Sequence, residues 1–232
     1  MELAIDTSTN LAGIALSDEG TIIAELTWYI ERGHTVELVP SIARLLEQTQ
    51  IERNALTALF VANGPGSFNG LRVGISTAKG LAFALDIPVV AVGTLEIEAY
   101  PFSFTGLPVC AIHNAGRGEI AMAIYRQDDV WKCVEDAHIS NVGVLCSTIK
   151  EKTLFCGEIP QFAEQQLREC LGNFAVIPDK VFRIRRASCL AELGWIKLCQ
   201  GTSSELSGLQ PLYLRQPPIT QPKHKYGVVR RD

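Results

Sequence analysis

The sequence predicts an α/β protein built of two half-domains, each a mixed sheet flanked by helices. Three observations carry that prediction. A glycine-rich turn, Ala62 to Gly74, stands between the short apolar run Ala58–Val61 and an apolar helical run that ends at Leu85. Apolar runs and turn signals up to Val92 alternate in the order β-β-β-α-β-α-β. From Val109 the opening of that order returns.

The elements follow in sequence. Leu3-Ala4-Ile5 starts a strand, Asp6 to Asn10 is a polar turn, and Ala12–Ser17 is a second strand. Asp18-Glu19-Gly20 signals a hairpin into a third strand, Thr21–Trp28. Leu38, Ile42, Leu45 and Leu46, widened by Val39, give Thr35–Gln48 helical spacing. Leu59–Ala62 is the fourth strand; the glycine turn and its helix follow, and Val89–Val92 is the fifth strand. Three antiparallel strands and two αβ crossovers are the plan of a ribonuclease-H-like or actin-like (ASKHA) half-domain. Thr94–Tyr100 reads as a short helix and Pro101–Pro108 as a boundary. Val109–Asn114 then echoes the first strand, Glu119–Tyr125 the second, and Val130–Val134 the third. Asn141–Thr148 is ambiguous. Leu154–Cys156 and Ala175–Ile177 read as strands, Pro160–Leu171 and Ala187–Gln200 as helices, and Leu209–Arg215 as extended. The division expected is 1–104, 105–215 and a tail, 216–232, with three prolines and a small basic patch, expected to be flexible.

Composition bounds the function. A chain of 232 residues with 20% charged residues and a net charge of −4 is neither a nucleic-acid polycation nor an acidic disordered chain. Seven cysteines without a Cys-x-x-Cys pair point to reduced, buried thiols and a cytoplasmic protein. Glu2 and Asp6 do not suit a signal peptide, and no apolar run nears the ~20 residues of a membrane span.

Candidate chemistry is sparse. The turn holding Gly64, Gly66, Ser67, Gly70 and Arg72 opens a helix, where free N–H groups and the dipole suit an anion or a close backbone contact. It lacks the P-loop's Gly-Lys-Ser/Thr and the dinucleotide Gly-x-Gly-x-x-Gly. The pattern alone favours a tight structural turn capped by Ser67 or Asn69. From Arg72 to Leu85 the only charges are Arg72 and Lys79, so this helix is covered on more than one side, by its own core or by a partner. Asp6, Thr7 and Ser8 either face a nucleotide or satisfy their own turn. His34 and Glu37 are three apart, but no His-x-x-x-His pair and no Gly-x-Ser-x-Gly elbow exists. No metal site and no catalytic residue is assigned. The competing readings are an actin-like ATPase or kinase using Asp6 and the glycine loop, and, far behind, a metallopeptidase using His34.

Together, Ile5-Asp6-Thr7-Ser8, Arg32-Gly33-His34 with Leu38 and Pro40, Gly64 to Gly74 and Pro211-Leu212-Tyr213-Leu214-Arg215 resemble the TsaB (YeaZ) family over nearly the whole chain. These are bacterial partner proteins in making threonylcarbamoyladenosine on tRNA. Asn69 stands where the family has Thr, and Asn114 and Gly116 replace the Asp and Arg of an Asp-Ala-Arg turn. The resemblance implies an actin-like fold without independent catalysis, and no tightly bound cofactor, with ATP or ADP only in the complex. It implies pairing with the catalytic paralogue TsaD through the two N-terminal-domain helices. The residues expected there are Leu38, Ile42, Leu46, Leu71, Ile75, Ala78 and Ala82. It further implies recruitment of the ATPase TsaE, homodimers through the same surface, and tRNA contact through the complex.

Overall fold

β1 (Glu2–Asp6), β2 (Leu11–Asp18) and β3 (Thr21–Tyr29) form an antiparallel meander. α1 (His34–Thr49), β4 (Ala58–Ala62), α2 (Phe68–Leu85) and β5 (Val89–Val92) then add two parallel strands, giving the order β3-β2-β1-β4-β5. β1 and β4 are buried along their whole length, as strands covered on both faces must be. The structure, a computed structural model, describes residues 1–30 and 34–215, with the backbone alone at His34. Arg32, Gly33, the His34 side chain and the basic tail lie outside the described residues.

α3 (Thr94–Ala99) leads into the second sheet. β6 (Val109–Gly116), β7 (Glu119–Gln127), β8 (Trp131–Ser140), α4 (Val142–Thr148), β9 (Thr153–Cys156), α5 (Gln161–Leu171) and β10 (Ala175–Val176) repeat the first plan, with strand order β10-β9-β6-β7-β8. The duplicated actin-like architecture expected from the element order is therefore present. The ambiguous Asn141–Thr148 segment becomes α4 because the Asn141 Oδ1 accepts the Val144 N–H at 2.9 Å.

The helical layers cross the boundary drawn at 104/105. α1 and α2 cover one face of the first sheet. Its other face is covered by α6 (Ala187–Cys199), the last helix of the chain. α3, from the first half, packs on the second sheet against Val109, Ala111 and Ala123, while α4 and α5 cover that sheet's far face. Each half thus lends a helix to the other. The segment after α6 returns over α2: Leu209 joins the first core, its carbonyl accepts the Lys79 ammonium at 3.1 Å, and the Leu212 N–H donates to the Asn63 carbonyl at 2.7 Å.

All seven cysteines are free, but the expectation of buried thiols fits only part of them. Cys110 and Cys156 are buried in central strands, whereas Cys133, Cys170 and Cys199 lie exposed on β8, α5 and the end of α6. Among the described residues, no helix is long and apolar enough to cross a membrane.

Candidate functional site

The carboxyl ends of β1, β4, β6 and β9 meet at a cleft of about 730 Å³, lined among others by Thr9, Gly66, Ser67, His113, Glu158 and Arg183. In open α/β sheets such a crevice is where a ligand sits, and an actin-like fold implies a nucleotide with its Mg²⁺ there. The fit of that group is decided by Asp6, the carboxylate at the end of central β1.

Asp6 is fully engaged. Its Oδ1 accepts the Ser8 N–H at 2.9 Å and the Ser8 hydroxyl at 2.6 Å, and its Oδ2 accepts the Arg185 Nε–H at 2.5 Å. The Thr7 hydroxyl donates to the Gly70 carbonyl at 2.7 Å. Arg185, on the loop before α6, has a side chain only 1% exposed. Its Nη1 donates to Glu98 Oε1 at 3.1 Å and Glu158 Oε1 at 3.2 Å, and its Nη2 to Thr9 Oγ1 and the Leu11 carbonyl at 2.8 Å each. All five guanidinium N–H groups are therefore used. Glu98 also holds His113, whose Nε2 lies 2.6 Å from its Oε2. Burial works to lower the His113 pKa, but the Glu98 charge and hydrogen bond outweigh it, and the imidazole is raised above its ordinary range. The turn expected to face a nucleotide thus spends its polar atoms inside the protein, and the residues do not fit a bound Mg²⁺–nucleotide. Among the described residues, no group of three or more His, Cys, Asp or Glu is arranged to hold a metal.

The glycine loop has a different task from holding phosphate. A Cβ on Gly66 would lie 2.2 Å from the Ser8 carbonyl oxygen, and one on Gly70 would lie 2.1 Å from that of Thr7. Only hydrogen fits there, so the glycines let the loop lie directly on the Asp6–Ser8 turn. The Ser67 N–H donates to the Ser8 carbonyl at 2.6 Å, and the Ser67 Oγ caps α2 by accepting the Gly70 N–H at 3.3 Å. That cap starts α2 at Phe68, so of the two caps expected, Ser67 and Asn69, the structure uses Ser67. Arg72 does not line the cleft: its guanidinium lies 3.9 Å over the Phe68 ring, and its Nε donates to the Tyr213 hydroxyl at 3.2 Å.

The interface residues expected on α1 and α2 are corrected by the packing. Leu38, Ile42, Leu71, Ile75, Ala78 and Ala82 are buried in the chain's own core, Ile75 only 3% exposed, and Leu46 is half-buried against it. The periodic apolar stripe is the core-facing one, as in any amphipathic helix on a sheet. The outward surface of the two helices mixes charged side chains, Glu37, Arg44, Glu47 and Arg72, with exposed apolar ones. Val36 is 71% exposed and Val39 57% on α1, and Phe83 is 83% exposed on α2, beside exposed Gly80 and Ala84.

Comparison with known proteins agrees with this architecture. Over 219 residues the chain is 36% identical to the tRNA threonylcarbamoyladenosine biosynthesis protein TsaB of Bacillus subtilis, covering 92% of this chain and 93% of that protein. The chain belongs to the TsaB (YeaZ) family. The Escherichia coli TsaB is 35% identical over 133 residues, 56% of this chain and 57% of that one. The profile of TsaD, tRNA N6-adenosine threonylcarbamoyltransferase, matches residues 22–183. The solved structure of YeaZ from Pseudomonas aeruginosa superposes with a TM-score of 0.79 at 25% identity, over 92% of this chain and 99% of that one. The activator of the 2-hydroxyisocaproyl-CoA dehydratase from Clostridium difficile, solved with bound ADPNP, superposes at 0.50 with 10% identity over 86% and 96% of the two chains. That likeness concerns the fold alone.

Relative to the TsaB pattern, Asn69 is exposed in the first turn of α2 rather than serving as its cap. Asn114 holds the second turn with its own Oδ1, which accepts the Gly116 N–H at 2.9 Å. Sequence reasoning missed Arg185, Glu98 and Glu158. A signal existed for part of it: His113 ends the apolar run Val109–Ile112, and an ionisable group there demands a buried partner.

Proposed function

We propose that this TsaB-family chain is a non-catalytic subunit that pairs with a TsaD-like catalytic paralogue through the outer faces of α1 and α2. In that complex it supports formation of the threonylcarbamoyl group on adenosine 37 of tRNAs reading ANN codons, and it helps recruit a TsaE-like ATPase. ATP or ADP enters only with the complex, tRNA is met through it, homodimers use the same two helices, and the setting is the cytoplasm. The observation that carries this reading is the set of exposed apolar side chains on those faces: Val36, Val39 and Phe83 project from two long neighbouring helices with Ala43, Gly80 and Ala84 among them. Exposed apolar surface of this kind marks protein contacts. Support for the non-catalytic part comes from the absent His-x-x-x-His pair and from the internal engagement of Asp6.

The test is light scattering on a mixture of the full chain and the TsaD-like paralogue of its own organism. A one-to-one complex is expected, lost in Phe83→Asp or Val36→Glu with unchanged melting. If both charged variants pair normally, the reading is overturned. Ile75→Glu is no substitute, because Ile75 lies in the core and its loss would unfold the chain.

A further inference from the structure

Three carboxylates converge on one buried guanidinium at the floor of the cleft. Asp6 and the Thr9–Leu11 turn come from the first sheet, Glu98 from α3, and Glu158 from the loop after β9. The position of Asp6, at the carboxyl end of the central strand beside the glycine loop, is where a metal-bound phosphate would seek its ligand. Mg²⁺ is held in such sites by one or two carboxylates together with phosphate oxygens. We propose that the Arg185 guanidinium is a permanent substitute for that divalent cation, neutralising the carboxylates and tying the two halves together so that the cleft refuses metal–nucleotide ligands.

Three features of the site support this. The guanidinium cannot lose its proton at any working pH. Its five N–H groups reach both halves at once, so the cation also sets how the halves sit. A diffusing Mg²⁺ would have to displace a covalently tethered cation already hydrogen-bonded at 2.5 Å to Asp6. The inference is independent of pairing with a TsaD-like partner and is tested on the isolated full chain.

The test is a gain of function. Manganese binding is measured by electron paramagnetic resonance, and melting temperature is followed against MnCl₂ and MgCl₂ with and without ATP. The native chain is expected to show neither binding nor a shift. Arg185→Ala vacates the centre of the carboxylate cluster. It is expected to melt lower without metal, to bind Mn²⁺ at least about tenfold tighter than the native chain, and to recover melting temperature as metal is added. Adding Asp6→Asn should remove that gain. If Arg185→Ala folds only when Mn²⁺ is present, reversibly with chelator, the substitution is equally supported. Arg185→Gln, which keeps donors but no charge, is the second variant and should also gain Mn²⁺ binding. Mg–ATP binding by the native chain overturns the inference. So does a failure of both variants to gain or be rescued by a divalent cation.

Discussion

The two half-domains share one plan and use it differently. In the first, the turn after β1 and the loop after β4 are locked backbone to backbone, and long crossover helices of 16 and 18 residues leave apolar side chains exposed on their outer faces. In the second, the turn after β6 is open: a Cβ on Gly116 or Gly118 would meet nothing within 4 Å. Its crossover helices are 7 and 11 residues long, and its fifth strand has shrunk to two. The same topology therefore gives a rigid half that can present a surface and a trimmed half that closes the cleft and lends α3 and Glu158. The sheet order carries no function by itself; the helix lengths and the loop packing decide what each half does.

The largest expected effect tests the locked turn against the open one. Gly70→Ala places a methyl group 2.1 Å from the Thr7 carbonyl, so backbone must move; a loss of about 4 kcal/mol, at the upper end for single substitutions, is expected in denaturant unfolding. Gly118→Ala meets no atom and carries only the strain of its φ of +76°, about 1 kcal/mol. Equal losses at the two positions would erase the contrast between the halves.

Next comes the contrast between the two faces of one helix. Ile75→Ala opens a cavity in the first core and should cost about 3 kcal/mol. Phe83→Ala, on the outer face, should stay within about 0.5 kcal/mol in the same unfolding assay. This contrast also shows what was legible in the sequence. Periodicity found α2, and it located the stripe of Ile75, Ala78 and Ala82 correctly as a stripe. It cannot say whether a stripe faces a core or a partner, because both bury the same side chains. Likewise the spacing of Gly64, Gly66 and Gly70 revealed a turn that demands glycine. The reason, a neighbouring strand end within van der Waals contact, joins positions some sixty residues apart in the chain. Arg185 lies 179 positions from Asp6, and no local pattern links them. The first half was read nearly element by element because its runs are long; in the second, the strand at Ala175–Val176 and the helices α5 and α6 were also read, while the seven-residue α4 stayed ambiguous because it is too short for its periodicity to decide.

A smaller, pH-dependent effect separates the two buried cations at the cleft floor. Arg185 does not titrate, so its tie between the halves is constant. His113, on β6, faces Glu98, with Arg185 and Glu158 nearby, and its folded pKa is raised. A raised imidazole contributes stability fully below its unfolded pKa of about 6.5, and that contribution fades as pH rises through the folded value. Melting temperature should therefore decline as pH is taken upward from about 6.5, and His113→Gln should flatten that decline. A native profile that rises over the same interval would remove the charged His113–Glu98 pair from the account.

The smallest effect joins stability to assembly in the first half. Gly80 is exposed on α2 at ordinary helical geometry, and a Cβ there would meet nothing within 4 Å. Gly80→Ala should stabilise the isolated chain by about 1 kcal/mol through helix propensity alone, which for a chain of this size is a rise in melting temperature of about 2–4 °C. A glycine kept on an exposed helical position at that disadvantage is understandable if another backbone approaches there, between Phe83 and Ser76. The pairing reading then expects the same substitution that stabilises the free chain to weaken its complex with a TsaD-like partner. Calorimetry on the pair and melting of the free chain separate the two signs. A variant that both melts higher and binds as well as the native chain would leave Gly80 outside the contact and move the interface toward Val36 and Val39 on α1.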